Sequence, residues 1–174
     1  MDNMLKIRTD LLLFDHLNPR LVEFAIDTNT SEDFILNILW NNMAVDEIVQ
    51  SIISNGFFQN EALLIVEEEG KNIVVEGNRR LAAAKAILNP EKVKGMAKYA
   101  DQISEEIKAQ VFELPVIKRD TRKASWGYIG FKHVNGPAKW GSYAKAQYIA
   151  TVHDEFGISL PEISKQIGDN NQTV

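Results

Sequence analysis

The chain has 174 residues, 45% of them hydrophobic and 25% charged, which is enough to bury the core of one domain, with or without a small appendage. It contains no cysteine, which excludes disulfides, thiolate metal sites and a thiol nucleophile. No apolar run approaches the ~20 residues that span a bilayer, and residues 1–10 lack the apolar centre of a signal peptide. We therefore expect a cytoplasmic protein with no membrane partner.

The net charge of −5 is unevenly distributed along the chain. Residues 1–70 contain three basic residues against thirteen acidic ones, whereas residues 71–147 contain fifteen basic residues against seven acidic ones. A basic centre in an acidic chain favours an anionic ligand. The alternative is that the acidic and basic parts pack together and their charges pair.

The first part of the chain predicts a mixture of strands and helices. Residues 5–14 predict a strand whose apolar part is residues 11–14, and the spacing of apolar residues predicts helices over residues 32–41 and 45–54. Two short β-branched runs, residues 63–66 and 73–75, then predict a hairpin.

The rest of the chain predicts mostly helices. A helix is expected over residues 79–88, and residues 109–117 predict one more strand, in which Pro115 indicates an edge strand or the end of a strand. Helices over residues 123–132 and 142–156 follow, and then a short third one. The chain is thus predicted to be α+β, with a small mixed-sheet domain over residues 1–120 and a helical segment over residues 121–174.

The most informative segment is the strand–turn–helix junction at Glu76, Gly77, Asn78, Arg79 and Arg80. A helix start carries unpaired N–H groups and positive partial charge, so a start with two arginines suits a phosphate, with both guanidinium groups aimed at it. The alternative is a helix that simply begins with surface arginines. Glu76 either pairs with one of the arginines or, beside bound phosphates, holds a magnesium ion.

Three other groups of residues have side chains suited to ligands. They are Arg20; Gly56 and Gln59; and Lys132, His133 and Asn135. The arginine follows a proline turn and suits an anion, and the glutamine follows a glycine helix stop and suits a base. His133 is a candidate general base or metal ligand, although a histidine at a helix end more commonly interacts with the helix dipole.

The end of the sequence has the pattern of a helix-turn-helix. A short amphipathic helix after Ser159 is followed by a turn at Gly168 and then by a polar stretch. That stretch would begin the recognition helix, whose first residues contact bases: Asn170, Asn171, Gln172 and Thr173. The alternative is an ordinary amphipathic helix with a frayed tail.

The order of these segments resembles the ParB family, in the wider ParB/sulfiredoxin-like superfamily. Residues 17–20 resemble its N-P-R box, residues 48–59 its helix with G-x-x-Q, residues 77–83 its G-E-R-R-x-R-A box, and residues 158–174 the first part of its helix-turn-helix. Two differences stand out. Asn78 replaces the family's glutamate, and residues 132–135 stand where the family has an E-N-x-x-R box.

The resemblance implies a nucleotide-gated DNA clamp with a ParB/sulfiredoxin-like domain. A nucleoside triphosphate, CTP or ATP, would bind with its base near Gly56 and Gln59 and with its phosphates at the Gly77 turn. A Mg²⁺ ion bound to the phosphates would be compatible with this site. Arg20 and Asn135 would add contacts, and Lys132 and His133 would close the site. DNA and a second copy of the chain would be its partners, and nucleotide hydrolysis is a possible activity. Two alternatives stay open: a nuclease that uses Glu76 and His133, or a DNA-binding adaptor with a vestigial pocket.

Overall fold

The computed structural model of the protein describes residues 4–135, except for the Asn135 side chain, and residues 140–168. A five-stranded mixed sheet and several helices confirm the predicted α+β class. The chain divides into two units. The first comprises Met1–His16 and Ile26–Lys118, and the second comprises Leu17–Ala25 and Arg119–Val174.

Most of the regular elements precede residue 120. In chain order they are β1 (Met4–Arg8), β2 (Leu12–Phe14), α1 (Glu32–Asn42), α2 (Val45–Asn55), β3 (Leu63–Glu68), β4 (Lys71–Glu76), α3 (Asn78–Leu88), α4 (Glu105–Phe112) and β5 (Glu113–Arg119). Short 3₁₀ turns cover Pro90–Lys92 and Lys94–Gln102.

The sheet has the strand order β1-β5-β3-β4-β2. β3 and β4 form the predicted antiparallel hairpin, β2 runs parallel to β4, and β1 runs antiparallel to β5. The single strand predicted over residues 5–14 is wrong, because a 3₁₀ turn at Thr9–Leu11 separates β1 from β2. The Thr9 hydroxyl donates to the Val111 carbonyl at that turn. The two short strands therefore lie at opposite edges of the sheet.

The strand predicted over residues 109–117 is present, but it begins at Glu113, four residues later than predicted. Residues 109–112 belong to α4, which begins after Ser104, whose hydroxyl accepts the Ile107 N–H at 3.2 Å. Pro115 lies on β5, opposite Lys6 of β1 and inside the sheet, so the predicted edge position is also wrong. Proline removes only its own N–H, and neighbouring residues still form the ladder.

The core of the first unit lies between the sheet and α1, α2 and α3. α3 is the most buried helix of the three, because its alanines allow close packing: Ala82, Ala83, Ala84 and Ala86 are all fully buried. α1 begins at Ser31, whose hydroxyl accepts the Phe34 N–H at 3.2 Å, as a good N-cap does. The close packing of α3 holds its first turn, which begins at Asn78, next to the end of β4 at Glu76.

The second unit is helical, with α5 (Trp126–Gly130), α6 (Ser142–Asp154) and α7 (Leu160–Ile167). Its core consists of Trp126, Val134, Val152, Ile163 and Ile167. α7 ends at Gly168, which has φ 73° and accommodates the left-handed turn. Across residues 4–135 and 140–168, we find no helix with the length and apolar character needed to cross a bilayer.

Candidate functional site

The turn at Gly77 joins the end of β4 to the start of α3. Gly77 has φ 100°, and a Cβ at this residue would lie 2.4 Å from Leu63 Cδ2, so only glycine fits without displacing the core. α3 has no side-chain cap, and its first helical hydrogen bond runs from the Leu81 N–H to the Gly77 carbonyl at 3.0 Å. The N–H groups of the helix before Leu81 are therefore the open donors of its first turn.

The Asn78 side chain points into the protein and fixes the turn to two strands. Its oxygen accepts the Asp15 N–H at 3.2 Å, and its amide group donates to the Val74 carbonyl at 2.7 Å. Only 5% of Asn78 is exposed. A glutamate cannot donate to a carbonyl, which gives a physical reason for asparagine where the resembled box has glutamate.

Arg80 is engaged by the chain's own acceptors. Its Nη2 lies 2.7 Å from Glu76 Oε2, and the two side chains are only 13% and 6% exposed. Its Nη1 donates to the Glu61 carbonyl and lies 3.6 Å from the Glu61 carboxylate. Arg80 thus links the end of β4 to the segment before β3, and Glu76 forms the ion pair that was one of its two predicted roles.

Arg79 has different partners from Arg80. Its Nη2 donates to the Ala44 carbonyl at 2.9 Å, and its Nε is buried with no hydrogen-bond partner in the part of the chain described. Ala44 is the N-cap residue of α2 and has φ 47°. The expectation that both guanidinium groups point at one anion is therefore not met. Successive residues of an α-helix leave its axis ~100° apart, which separates the two side chains.

Gly56 and Gln59 lie at the end of α2. A Cβ on Gly56 would lie 2.5 Å from Gln110 Oε1, and the same oxygen accepts the Phe57 N–H at 3.1 Å. Gln59 is exposed, and its Nε2 lies 3.5 Å from the Phe57 carbonyl. Gln110, which sequence reasoning did not single out, therefore closes this helix end, and its distance of more than fifty residues along the chain gives no local signal of that role.

The other described residues that were predicted to bind a ligand belong to the second unit. The Arg20 N–H donates to the Asn18 side chain at 3.0 Å in a 3₁₀ turn at Pro19–Phe24. His133 is 7% exposed and stacks on Trp140, with ring centroids 4.6 Å apart and planes at 4°. The Lys132 Nζ lies 5.8 Å from the centroid of the Tyr128 ring.

The predicted base contacts lie outside the described residues, and the predicted metal site has no cluster of ligands among the described ones. The base-contacting set Asn170, Asn171, Gln172 and Thr173 and the Asn135 side chain lie outside the described part of the chain. Within the described ranges, no group of three or more histidines and acids is placed to hold a metal ion. The Glu76 carboxylate, the predicted metal ligand, is the partner of Arg80.

No protein-family model matches the chain, and no curated protein matches it. The chain is similar to the C-terminally truncated chromosome-partitioning protein ParB from Caulobacter crescentus. The structure of that protein with CTP-γ-S gives a TM-score of 0.44 at 17% identity, covering 95% of this chain and 71% of ParB. The structure of that protein with the centromeric parS site gives a TM-score of 0.43 at 13% identity, covering 94% of this chain and 64% of that chain.

Proposed function

We propose that the first unit binds a nucleoside triphosphate with its phosphates at the start of α3. The observation that carries the proposal is the uncapped first turn of α3 next to Arg79, whose Nε is buried and has no hydrogen-bond partner among the residues that the structure describes. Open N–H groups and the helix dipole favour a phosphate at this point, and an arginine adds a charged donor.

We propose different roles for the individual residues of the turn. Arg79 would contact the phosphates directly, together with the backbone N–H groups of the first turn. Gly77 and Asn78 would shape the turn, because one has the required φ and the other is hydrogen-bonded to Asp15, the residue after β2, and to Val74 of β4. The base would lie near Gly56 and Gln59. The ligand roles of Arg20, Lys132, His133 and Asn135, and that of Mg²⁺, stay predictions from the family resemblance.

The wider function that we propose is that of a DNA-associated, ParB-like homodimer whose hold on DNA depends on nucleotide. α7 packs on the core of the second unit through Ile163 and Ile167 and ends in a left-handed glycine turn, as the first helix of a helix-turn-helix does. Fluorescence anisotropy with labelled DNA duplexes, with and without nucleotide, and light scattering under the same conditions would test DNA binding and dimerisation.

The nucleotide site is tested by calorimetry with CTP, ATP and GTP. We expect one of them to bind, and Arg79→Ala to weaken it by about tenfold or more, since a charged contact contributes ~1.5–3 kcal/mol. Arg8→Ala is the matched control, because Arg8 is an exposed arginine on β1 that pairs with Asp10. Absence of binding for all three nucleotides, or equal binding by the Arg79→Ala protein, would refute the site.

The Glu76–Arg80 ion pair favours a second candidate, a DNA-binding adaptor that takes no nucleotide. In this candidate the positive charge of Arg80 serves only to hold the turn, because Glu76 already neutralises it. DNA binding by a protein that binds none of the three nucleotides would select this function over the first.

A further inference from the structure

We propose that Glu76 competes internally with the ligand for Arg80, and so sets which anions the α3 turn accepts. This inference rests on the proposed function, since it concerns the same turn. It goes further by giving Glu76 a role opposite to that of a ligand: its carboxylate weakens anion binding and restricts it to polyphosphates.

The Arg80 guanidinium lies directly against the turn. The position of a Cβ on Gly77 is 3.0 Å from Arg80 Nη2 and 3.4 Å from Arg80 Cζ, so the charged group covers the Gly77 backbone where α3 begins. The same Nη2 is 2.7 Å from the Glu76 carboxylate. Glu76 therefore binds the one arginine nitrogen that lies nearest the open end of the helix.

The Glu76 carboxylate stands where the helix itself favours a negative charge. The N-terminal end of a helix stabilises an adjacent anion, and Glu76 is the second residue before Asn78, the first of α3. Glu61 adds a second acid, with its carboxylate 3.6 Å from Arg80 Nη1. Two carboxylates thus lie beside one arginine. Both repel an approaching anion, which has to displace them before it can bind the Arg80 guanidinium.

This arrangement selects for charge. A monophosphate that displaced the buried Glu76–Arg80 contact would replace one carboxylate with one phosphate and gain little. A tripolyphosphate chain carries more charge and more acceptor oxygens along its length, so one phosphate can contact the N–H groups and Arg79 while another contacts Arg80. The ligand class is therefore a nucleoside triphosphate or another polyphosphate, and not a nucleoside monophosphate.

The competitor role and a purely structural role predict opposite signs for Glu76→Gln. The glutamine keeps the size of the side chain but removes its charge, which frees Arg80. We expect the variant to bind inorganic tripolyphosphate about tenfold more tightly, which corresponds to ~1.4 kcal/mol, while its melting temperature falls because a buried pair is lost. A Glu76 that only holds the turn predicts weaker binding together with lower stability.

Calorimetry with tripolyphosphate and with CTP distinguishes the two roles of Glu76. Four proteins are compared: the wild type, Glu76→Gln, Glu76→Gln/Arg80→Ala and Glu67→Gln. The last is the control, because it removes an exposed carboxylate that is paired with Lys118. We expect the gain in Glu76→Gln to disappear in the double variant and to be absent from the control. Glu61→Gln, at a residue whose side chain is 59% exposed, gives a second variant that keeps the buried pair, with an expected gain of about twofold.

Each outcome has a distinct meaning. Tighter binding that depends on Arg80 supports the competitor role. Unchanged or weaker binding by Glu76→Gln, with clear binding by the wild type, overturns it and leaves the proposed nucleotide site standing. If none of the proteins, including Glu61→Gln, binds either ligand, the proposed function fails and this inference fails with it.

Discussion

The Asp15 N–H donates to the side-chain oxygen of Asn78, 63 residues further along the chain, at 3.2 Å. The amide group of the same side chain donates to the Val74 carbonyl at 2.7 Å. Asp15 and Asn78 are both almost fully buried. One carboxamide thus ties the residue after β2 to β4, the strand that leads into the Gly77 turn.

Replacing Asn78 should destabilise the first unit strongly. Asn78→Ala leaves a buried N–H and a buried carbonyl without their partner, and we expect the free energy of unfolding to fall by about 2–4 kcal/mol. Asn78→Glu should also destabilise, because glutamate cannot donate to Val74. Urea denaturation measures both. Asn55→Ala is the control, since the Asn55 side chain donates to the Ser51 carbonyl on an exposed helix surface, and a comparable loss there would contradict the assigned role.

Gly77→Ala should be more damaging than Gly70→Ala, although both glycines have positive φ. A Cβ on Gly70 meets nothing within 4 Å, so only the backbone cost of about 1–2 kcal/mol applies. A Cβ on Gly77 also collides with the buried Leu63 side chain. Thermal unfolding of the two variants measures the difference. Equal losses would show that Leu63 moves aside without cost.

Gln110→Ala should loosen the end of α2. The Gln110 side-chain oxygen accepts the N–H of Phe57, which is buried, and its removal should cost about 1 kcal/mol. Hydrogen exchange at the Phe57 amide should rise in the same variant. Gln102→Ala is the control, because Gln102 is exposed and donates only to the Lys98 carbonyl one turn earlier. Unchanged Phe57 exchange would argue against the capping role.

The second unit should lose stability in alkali through Tyr148. Burial raises the pKa of this phenol well above its ordinary value of about 10, and its hydroxyl donates to the Trp126 carbonyl at 2.7 Å. Because the folded state holds the proton more tightly, this contribution is complete below pH ~10 and declines as the pH rises further.

Ultraviolet titration of the wild type against Tyr148→Phe should identify one tyrosine that ionises late. The variant should also be about 1 kcal/mol less stable at neutral pH. Tyr143→Phe serves as the control, since Tyr143 is 56% exposed. A Tyr148 that titrates together with exposed tyrosine would contradict its burial.

Local signals predicted much of the fold. Ser31 and the apolar spacing after it predicted α1 to within one residue of its end, and Asn55-Gly56 marked the end of α2. The α4 helix was missed although Ser104, Glu105 and Glu106 form a regular helix start, because the β-branched residues after it dominated the interpretation.

The fine structure of the site depends on partners that are remote in sequence. The Gly77 turn and the first residues of α3 were predicted from a short motif. The inward Asn78 side chain depends on Asp15, the position of Arg79 on Ala44, and the closure of Gly56 on Gln110. None of these contacts leaves a periodic or compositional trace, so only the three-dimensional structure assigns them.

Binding of phosphates at the first turn of α3 can be followed residue by residue in a ¹⁵N-resolved NMR titration with CTP and ATP. We predict saturable shifts of the backbone amides of Asn78, Arg79 and Arg80, together with the Arg79 side-chain Nε–H. Shifts confined to other segments, or none at millimolar nucleotide, would contradict binding at this turn.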